Sequence, residues 1–436
     1  MKVGFISLGC SKNLIDTEMG ISIFKDNKFE IVSDPKEAEI IVVNTCGFIA
    51  SAKEEAINTI LEMAEYKNKK CKYLIAMGCL VKRYKEELEK EIPEVDLWIS
   101  IDEYKDFWAK VSTLIGKKVD KKANNYMEYR NRTITTGKKQ AYLKIAEGCD
   151  NFCTYCAIPY IRGRFESRPF EEIIDEAKDL AKNGYEEIIV IAQDTTKYGI
   201  DLYGKLRLPE LLDELSKIKG IRWIRFLYAY PESITDELID VVKTNPKVLH
   251  YFDIPIQHFS NEILKKMNRK TDNKSIRNVV SKIRKNIPDV ILRTSLIVGF
   301  PGETEEDFEV LEKAVKELKF DRLGCFTYSK EDGTPAAKFE AQIKANVKKQ
   351  RRNKIMTAQN KIAKESLESR VGKTYEVLIE DVTDDELYFV GRSYMDCPDT
   401  DGVIFVARTE EDLVNKFVNV KIVAVDEYDL IGEVQK

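Results

Sequence analysis

Short apolar runs alternate with helical patterns over the first 116 residues. KVGFISLG from Lys2, EIIVVNT from Glu39 and KYLIAMG from Lys72 are near-continuous and β-branched, as strands buried on both faces are. IDTEMGISIFKD and AKEEAINTILEMAEYK, between them, carry helical spacing. Strand and helix in alternation predict a parallel α/β domain, flavodoxin-like or Rossmann-like, over 1–116. The run Lys117–Lys139 is polar and aperiodic, and a linker is expected at 117–134.

The βα alternation then resumes over 135–367. Six strands are expected in YLKIAEG, EEIIVIAQ, IRWIRFLYA, VLHYFDIPIQ, VILRTSLIVGF and RLGCFTYS, with helices such as FEEIIDEAKDLAKN between them. Six βα units predict an incomplete TIM-like (βα)6 barrel, a fold that sets its chemistry at the C-terminal ends of its strands. A basic helical stretch fills 344–369. From residue 369 to 436, YEVLIEDV, ELYFVGRS, VIFVART and FVNVKIVAVDEY predict a small all-β barrel. No internal repeat is present.

The composition excludes several classes. Of 436 residues 43% are hydrophobic and 33% charged, which suits a soluble globular chain. No apolar run approaches a membrane span, and the first ten residues read as a strand rather than a signal, so a cytoplasmic protein is expected. Two histidines, His250 and His258, leave little room for His-rich metal sites or a Ser–His–Asp hydrolase. The net charge of −4 is uneven. Residues 370–436 hold 7 basic and 16 acidic residues, a net of −9, which leaves +5 on the rest. An acidic C-terminal module, with Asp396, Asp399 and Asp401 among its carboxylates, suits a basic partner better than a phosphate backbone.

The nine cysteines are an odd number without the spacing of a disulfide scaffold, and read better as metal ligands in a reducing compartment. Cys149, Cys153 and Cys156 form a CxxxCxxC triplet just after the first barrel strand. Three thiolates on a four-iron cubane leave one iron open to a chelating substrate. A zinc site short of a ligand, or chance, would give the same spacing. Cys10, Cys46 and Cys79 each follow an apolar strand. In a parallel sheet such ends lie along one edge, where open α/β folds bind ligands. Three equivalent placements favour a second three-ligand site over three ordinary core cysteines. Cys71, Cys325 and Cys397 lack a partner pattern.

The triplet, with Gly148, Phe152, Tyr155 and the tail Pro159–Arg168, resembles the radical S-adenosylmethionine (SAM) enzymes. The whole chain resembles the methylthiotransferases of that superfamily, and within them the RimO branch. The supporting stretches are LGCSKNLIDTE from Leu8, NTCGFIASAKEE from Asn44, DIPIQH from Asp253, YSKEDGTPAA from Tyr328 and GRSYMDCPDTDG from Gly391. That resemblance implies a radical SAM barrel, a C-terminal TRAM barrel and two 4Fe-4S clusters, held by Cys149, Cys153, Cys156 and by Cys10, Cys46, Cys79. It implies SAM as cofactor and substrate, a reductant such as flavodoxin or ferredoxin, and methylthiolation of an aspartate β-carbon in a small-subunit ribosomal protein, free or on the ribosome. It also assigns Tyr155, Gly299 and Gly302 to SAM. Strand-end position offers Gln193 and Asp194 as hydrogen-bond partners for the amine or ribose of SAM, with an Asx turn as the alternative. Arg162, Arg164 and Arg168 form a basic group able to steer a carboxylate, or a solvated strip. His258 either lines the cavity or serves the structure. Two rival functions share these features. A tRNA adenosine methylthiotransferase is expected to show a YGCQMN-like start and a basic C-terminal module, so the −9 module argues against tRNA. A two-cluster electron-transfer or scaffold protein would have no use for open coordination beside a SAM-sized barrel.

Overall fold

The computed structural model describes residues 1–435. The N-terminal sheet is five-stranded and wholly parallel: β1 Lys2–Ser7, β2 Glu30–Val32, β3 Ile40–Thr45, β4 Tyr73–Gly78 and β5 Leu97–Ile99, in the order β2-β1-β3-β4-β5. This is the flavodoxin order, and it resolves the two layouts left open by the pattern. β2 and β5 have three residues each, too few to show a period. β3 is buried along its whole length, which is why it reads as an unbroken apolar run.

The stretch expected as a linker contains no helix or strand, yet it is fastened. The side chain of Arg132 is buried; it pairs with Glu18 of the first domain and Glu176 of the barrel, and donates to the Tyr142 carbonyl. Ser22 donates to Asn131 at 2.9 Å. One guanidinium answering two buried acids turns the segment into a strap across both domains.

The barrel strands run parallel in chain order. They are β6 Gln140–Lys144, β9 Glu187–Ile191, β10 Trp223–Phe226, β11 Tyr251–Gln257, β12 Ile291–Val298 and β13 Arg322–Thr327. A single parallel bridge, Ile224 to Val248, joins the two halves. A short antiparallel pair, β7 Ala146–Glu147 with β8 Glu166–Ser167, stands outside this wall. One face of the strands packs on the helices through residues such as Leu143, Val190, Phe226 and Phe252. The other face carries Tyr142, Ile189, Trp223 and Tyr251 together with charged Lys144, Arg225, Asp253 and Arg293. That inner wall needs polar partners, since an unpaired buried charge is costly.

The C-terminal module supplies them. Strands β14 Thr374–Val382, β15 Tyr388–Arg392, β16 Ile404–Ala407, β17 Phe417–Asp426 and β18 Asp429–Val434 close in the order β14-β15-β16-β18-β17. The sequence reading stops at Tyr428 and leaves β18 out; only a two-residue turn separates it from β17. The loop 393–401 between β15 and β16 plugs the barrel at the N-terminal ends of its strands. Met395 and Cys397 join the inner apolar cluster. Asp396 accepts from Arg322 at 2.7 Å, and Asp401 accepts from the Tyr251 hydroxyl at 2.6 Å with Arg293 3.7 Å away. Arg392 pairs with Glu187 and Glu380 at 2.7 Å each. The carboxylates of Asp396 and Asp401 are therefore buried staples rather than surface acids, which corrects the sequence reading; Asp399 alone of the three is exposed.

Arg392→Met should shift denaturant unfolding by about 3–5 kcal/mol, because Glu187 is fully buried and loses one of its two cations. Asp399→Asn, on the surface of the same loop, should stay within about 0.5 kcal/mol of the parent. Equal effects of the two would contradict the plug.

Candidate active site

The CxxxCxxC loop leaves β6 at the C-terminal rim of the barrel. The β7–β8 pair closes its neck, and there Gly148 has φ 72°. A Cβ at Gly148 would lie 1.9 Å from the Arg164 carbonyl oxygen, so only glycine lets the two arms cross. Cys149 donates its amide to the Gly163 carbonyl at 3.2 Å, and Thr154 donates to Met267 at 3.0 Å. Cys149 and Cys153 are buried and Cys156 is half-buried. Burial pushes the Cys149 thiol up to about 11 and drives Cys156 upward as well, each also feeling the charge of Cys153. Arg269, itself buried, stands 3.8 Å from the Cys153 sulfur, stacks over Tyr230 and donates to the Pro255 carbonyl.

Cys10, Cys46 and Cys79 follow β1, β3 and β4 on one sheet edge. Gly9 touches Cys46, whose sulfur would lie 2.9 Å from a Cβ built there. Burial pushes Cys79 up to about 12, opposed by Arg162 and reinforced by Cys10 and Cys46. Asn13, fully buried, ties the three loops together. Its Nδ2 donates to the Leu8 carbonyl at 3.0 Å and the Thr45 carbonyl at 2.9 Å. Its Oδ1 accepts from the Cys79 thiol at 3.3 Å and from Arg162. All four hydrogen-bonding places of the amide are used.

Arg162 belongs to the barrel, in the short helix Ile158–Arg162 just beyond the triplet. Besides Asn13 it reaches the Cys79 sulfur at 3.4 Å, Asp16 at 2.7 Å and Glu147 at 3.2 Å. Lys144 pairs with the same two acids at 3.1 and 2.8 Å. Burial alone would raise the Glu147 carboxyl; Lys144 and then Arg162 overcome it and hold the group below the usual carboxylate range. A second clamp closes the interface beyond β13. Buried Glu331 accepts from the Ala50 amide at 2.8 Å and pairs with Lys53 at 2.9 Å and Arg83 at 3.2 Å. The two cysteine sets thus face one interdomain interface, fixed on both sides by buried ion pairs.

The other residues expected from sequence fall out variously. Gln193 donates to Glu147 at 2.7 Å and keeps its buried Oε1 without a partner, the free acceptor a ligand amine or hydroxyl needs. Asp194 is fully buried and already accepts from Asn151 at 2.8 Å and Thr196 at 2.6 Å. Tyr155 packs beside Ile263, Met267, Phe300 and Tyr328 next to Cys153. Gly299 and Gly302 have φ 70° and 76°, and the space of their missing Cβ atoms is taken by Lys348 and Lys266 of this chain. Glu303 accepts from the Gly299 and Phe300 amides and pairs with Arg351, so the basic stretch at 348–354 is partly spent on holding this turn. Of the three arginines, Arg162 and Arg168 are buried in ion pairs and only Arg164 is exposed; they do not form a strip. His258 is fully buried, accepting from the Ser260 amide, with Glu303 3.6 Å from its other nitrogen. Cys71, Cys325 and Cys397 are buried away from both sets. Sequence reasoning missed Asn13, Glu147, Arg269 and Glu331. Asn13 and Glu331 lay inside the quoted LGCSKNLIDTE and YSKEDGTPAA stretches and Glu147 inside YLKIAEG, but neither they nor Arg269 offered a spacing that a single sequence could reveal.

All nine cysteines are free thiols. Among the described residues no three His, Cys, Asp or Glu side chains close on a single ion. A cubane places each thiolate on its own iron, which calls for a wider triangle. Sulfur-only donors, three of the six buried, with a guanidinium beside one sulfur of each set, fit an anionic iron–sulfur cluster.

Known proteins agree. The radical SAM superfamily profile matches residues 143–315, the profile described as uncharacterized protein family UPF0004 matches 2–100, and the TRAM domain matches 371–434. A ribosomal protein uS12 methylthiotransferase RimO from Alkaliphilus oremlandii is 62% identical over 434 residues, 99% of each chain. The chain belongs to the RimO family of radical SAM methylthiotransferases. The RimO of Acetivibrio thermocellus is 52% identical over 99% of this chain and 98% of its own. Among solved structures, the radical SAM methyltransferase TsrM from Kitasatospora setae superposes with a TM-score of 0.56 at 13% identity, covering 77% of this chain and 76% of that one. The cobalamin-dependent radical enzyme OxsB gives 0.51 at 12% identity, covering 82% and 56%. Both support the fold. As a RimO-family member the chain is a transferase whose cofactors are SAM and a 4Fe-4S cluster.

Alkylation of the metal-free protein at pH 8 should modify exposed Cys10 first and leave Cys79 and Cys149 slow. The Cys149 rate should climb about tenfold per pH unit from 8 to 10, since its thiolate is scarce below about 11. Asn13→Ala should release Cys79 to labelling, read by peptide mass spectrometry; unchanged protection would remove Asn13 from its role as hub.

Proposed function

We propose that this enzyme adds a methylthio group to the β-carbon of an aspartate in ribosomal protein uS12, using two 4Fe-4S clusters, in the reducing cytoplasm. The observation that carries the reading is full-length likeness to RimO at 62% identity, together with six thiols in two sets on one interface. Cys149, Cys153 and Cys156 would hold one cluster, and Cys10, Cys46 and Cys79 the other. When bound, these cofactors and SAM supply a radical that takes hydrogen from the β-carbon and a methylated sulfur that replaces it.

The chain's own residues then orient and insulate. Arg269 beside Cys153 and Arg162 beside Cys79 offer donors to the sulfur ligands, which is how a protein stabilises a buried anionic cluster. Gln193 Oε1 is free to accept from the amine or ribose of SAM, and Tyr155 would give an apolar wall near its base. The Arg162 and Glu331 clamps hold the two domains, and with them the two sets, in a fixed relation. Asp194, Gly299 and Gly302 would act at one remove, by shaping the rim.

The substrate side rests on charge. Asp384, Asp385 and Glu386 on one turn, and Glu410, Glu411 and Asp412 on another, are exposed acids of the C-terminal module. They suit a basic ribosomal protein and repel tRNA. A flavodoxin or ferredoxin would supply the electron.

Anaerobically reconstituted protein should bind about eight irons, two cubanes. Replacing Cys149, Cys153 and Cys156 with alanine should halve the iron and abolish SAM cleavage. Replacing Cys10, Cys46 and Cys79 should also halve the iron yet leave reductive SAM cleavage, while methylthiolated uS12 disappears from the mass spectrum. Product from the second triple variant would sink the two-cluster assignment.

Capture of uS12 in a pull-down should weaken with added salt and on replacing Asp384, Asp385 and Glu386 by their amides, because exposed charges are screened beyond ~10 Å at 0.1 M ionic strength. Tight capture of tRNA with none of uS12 would instead favour the adenosine-modifying activity.

A further inference from the structure

Lys12, beside the Cys10 loop, carries a charge that no carboxylate answers among the described residues. It sits in the first turn of the helix Ser11–Asp26, two residues after Cys10. Only 6% of it is exposed. Among the described residues no carboxylate and no hydrogen-bond acceptor meets its ammonium group; its one polar contact is the face of Tyr228, with Nζ 3.1 Å from the ring centre. The position is doubly unfavourable. Burial penalises an unpaired cation, and the N-terminus of a helix repels positive charge. No acidic residue stands in that first turn. The nearby acids are already matched: Asp16 and Glu147 face Lys144 and Arg162, two against two. A local cost that nothing in the folded chain offsets points to a ligand.

The platform beneath Lys12 is also held under tension. Tyr228 follows β10 at the C-terminal rim and has φ 62°, a conformation bulky residues avoid. Its amide donates to Asp253 at 3.1 Å, and its carbonyl accepts from the Thr195 amide at 3.2 Å. Thr195 adjoins Gln193 and Asp194. The ring is thereby fixed between the rim expected to meet SAM and the loop that carries Cys10.

We propose that Lys12 binds the carboxylate of the aspartate being modified, and that this contact selects an acidic side chain at the site. The inference rests on the uS12 reading above. A charge-assisted hydrogen bond to that carboxylate fixes the β-carbon one covalent bond away, at the interface both cysteine sets face. The carboxylate of SAM is the other group of the same chemistry within reach, and the test separates the two.

The test is a two-by-two binding cycle. Reconstituted enzyme with SAM is titrated with purified uS12 and with uS12 carrying asparagine at the target position, using parent and Lys12→Met enzyme. The parent should prefer aspartate about ten- to hundredfold, as a hydrogen bond to a charged group does. Lys12→Met should bring that ratio close to one, raising KM for uS12 more than it lowers kcat, and Lys12→Arg should restore most of it. SAM affinity is measured in parallel without uS12. An unchanged aspartate preference in Lys12→Met would overturn the proposal, and so would a loss confined to SAM affinity. If the parent bound neither form of uS12, the substrate reading itself would fall, and this inference with it.

Discussion

The two halves of the catalytic interface hang on one guanidinium. Arg162 comes from the loop that carries the barrel cysteines, and it ends on a sulfur, an amide and a carboxylate of the other domain. Such a contact forms only when both domains are complete, so it acts as a register mark between them. Ion pairs this deep contribute little net stability, since desolvation consumes most of the attraction; what they specify is arrangement. Here the arrangement is the spacing between two sets of thiols. Lys144 and Glu147 complete the set, so each of the four charges has a partner of opposite sign.

The same logic governs the far end of the barrel. A six-stranded wall cannot close on itself, and its inner face carries charges that an apolar filling would strand. The 393–401 loop meets Arg225, Arg293 and Arg322 with backbone oxygens and carboxylates. The C-terminal module is therefore part of the barrel's packing as well as a surface for partners. Its acidity serves two ends, a buried portion that completes the lumen and an exposed portion free to meet a basic protein.

Much of this was legible in the chain. All six barrel strands and the three long strands of the first sheet stood out, because short apolar runs rich in β-branched and aromatic residues alternate with helical patterns. The six cysteines were legible for a different reason: thiols at strand ends in a parallel sheet gather on one edge whatever the details. β2 and β5 were not, being three residues long, and β18 was not, because so short a turn parts it from β17. Charged residues were the hardest to read. Arg162 and Asp396 look the same in sequence as any solvated arginine or aspartate, and only long-range packing, across 149 residues for Arg162 to Asn13, decides that they are buried. The same holds for Lys12, whose isolation is a property of what fails to surround it.

The plug also sets a timetable for synthesis. The barrel strands leave the ribosome well before the 393–401 loop, so the nascent barrel waits with its lumen charges in water. Water suits Arg225, Arg293 and Arg322 at that stage, and it keeps the open wall from collapsing on itself. Only when the last strands arrive does the lumen dry. A chain cut short after the barrel would keep all six cysteines of the two sets and still carry an unsealed, hydrated shaft beneath its cofactors.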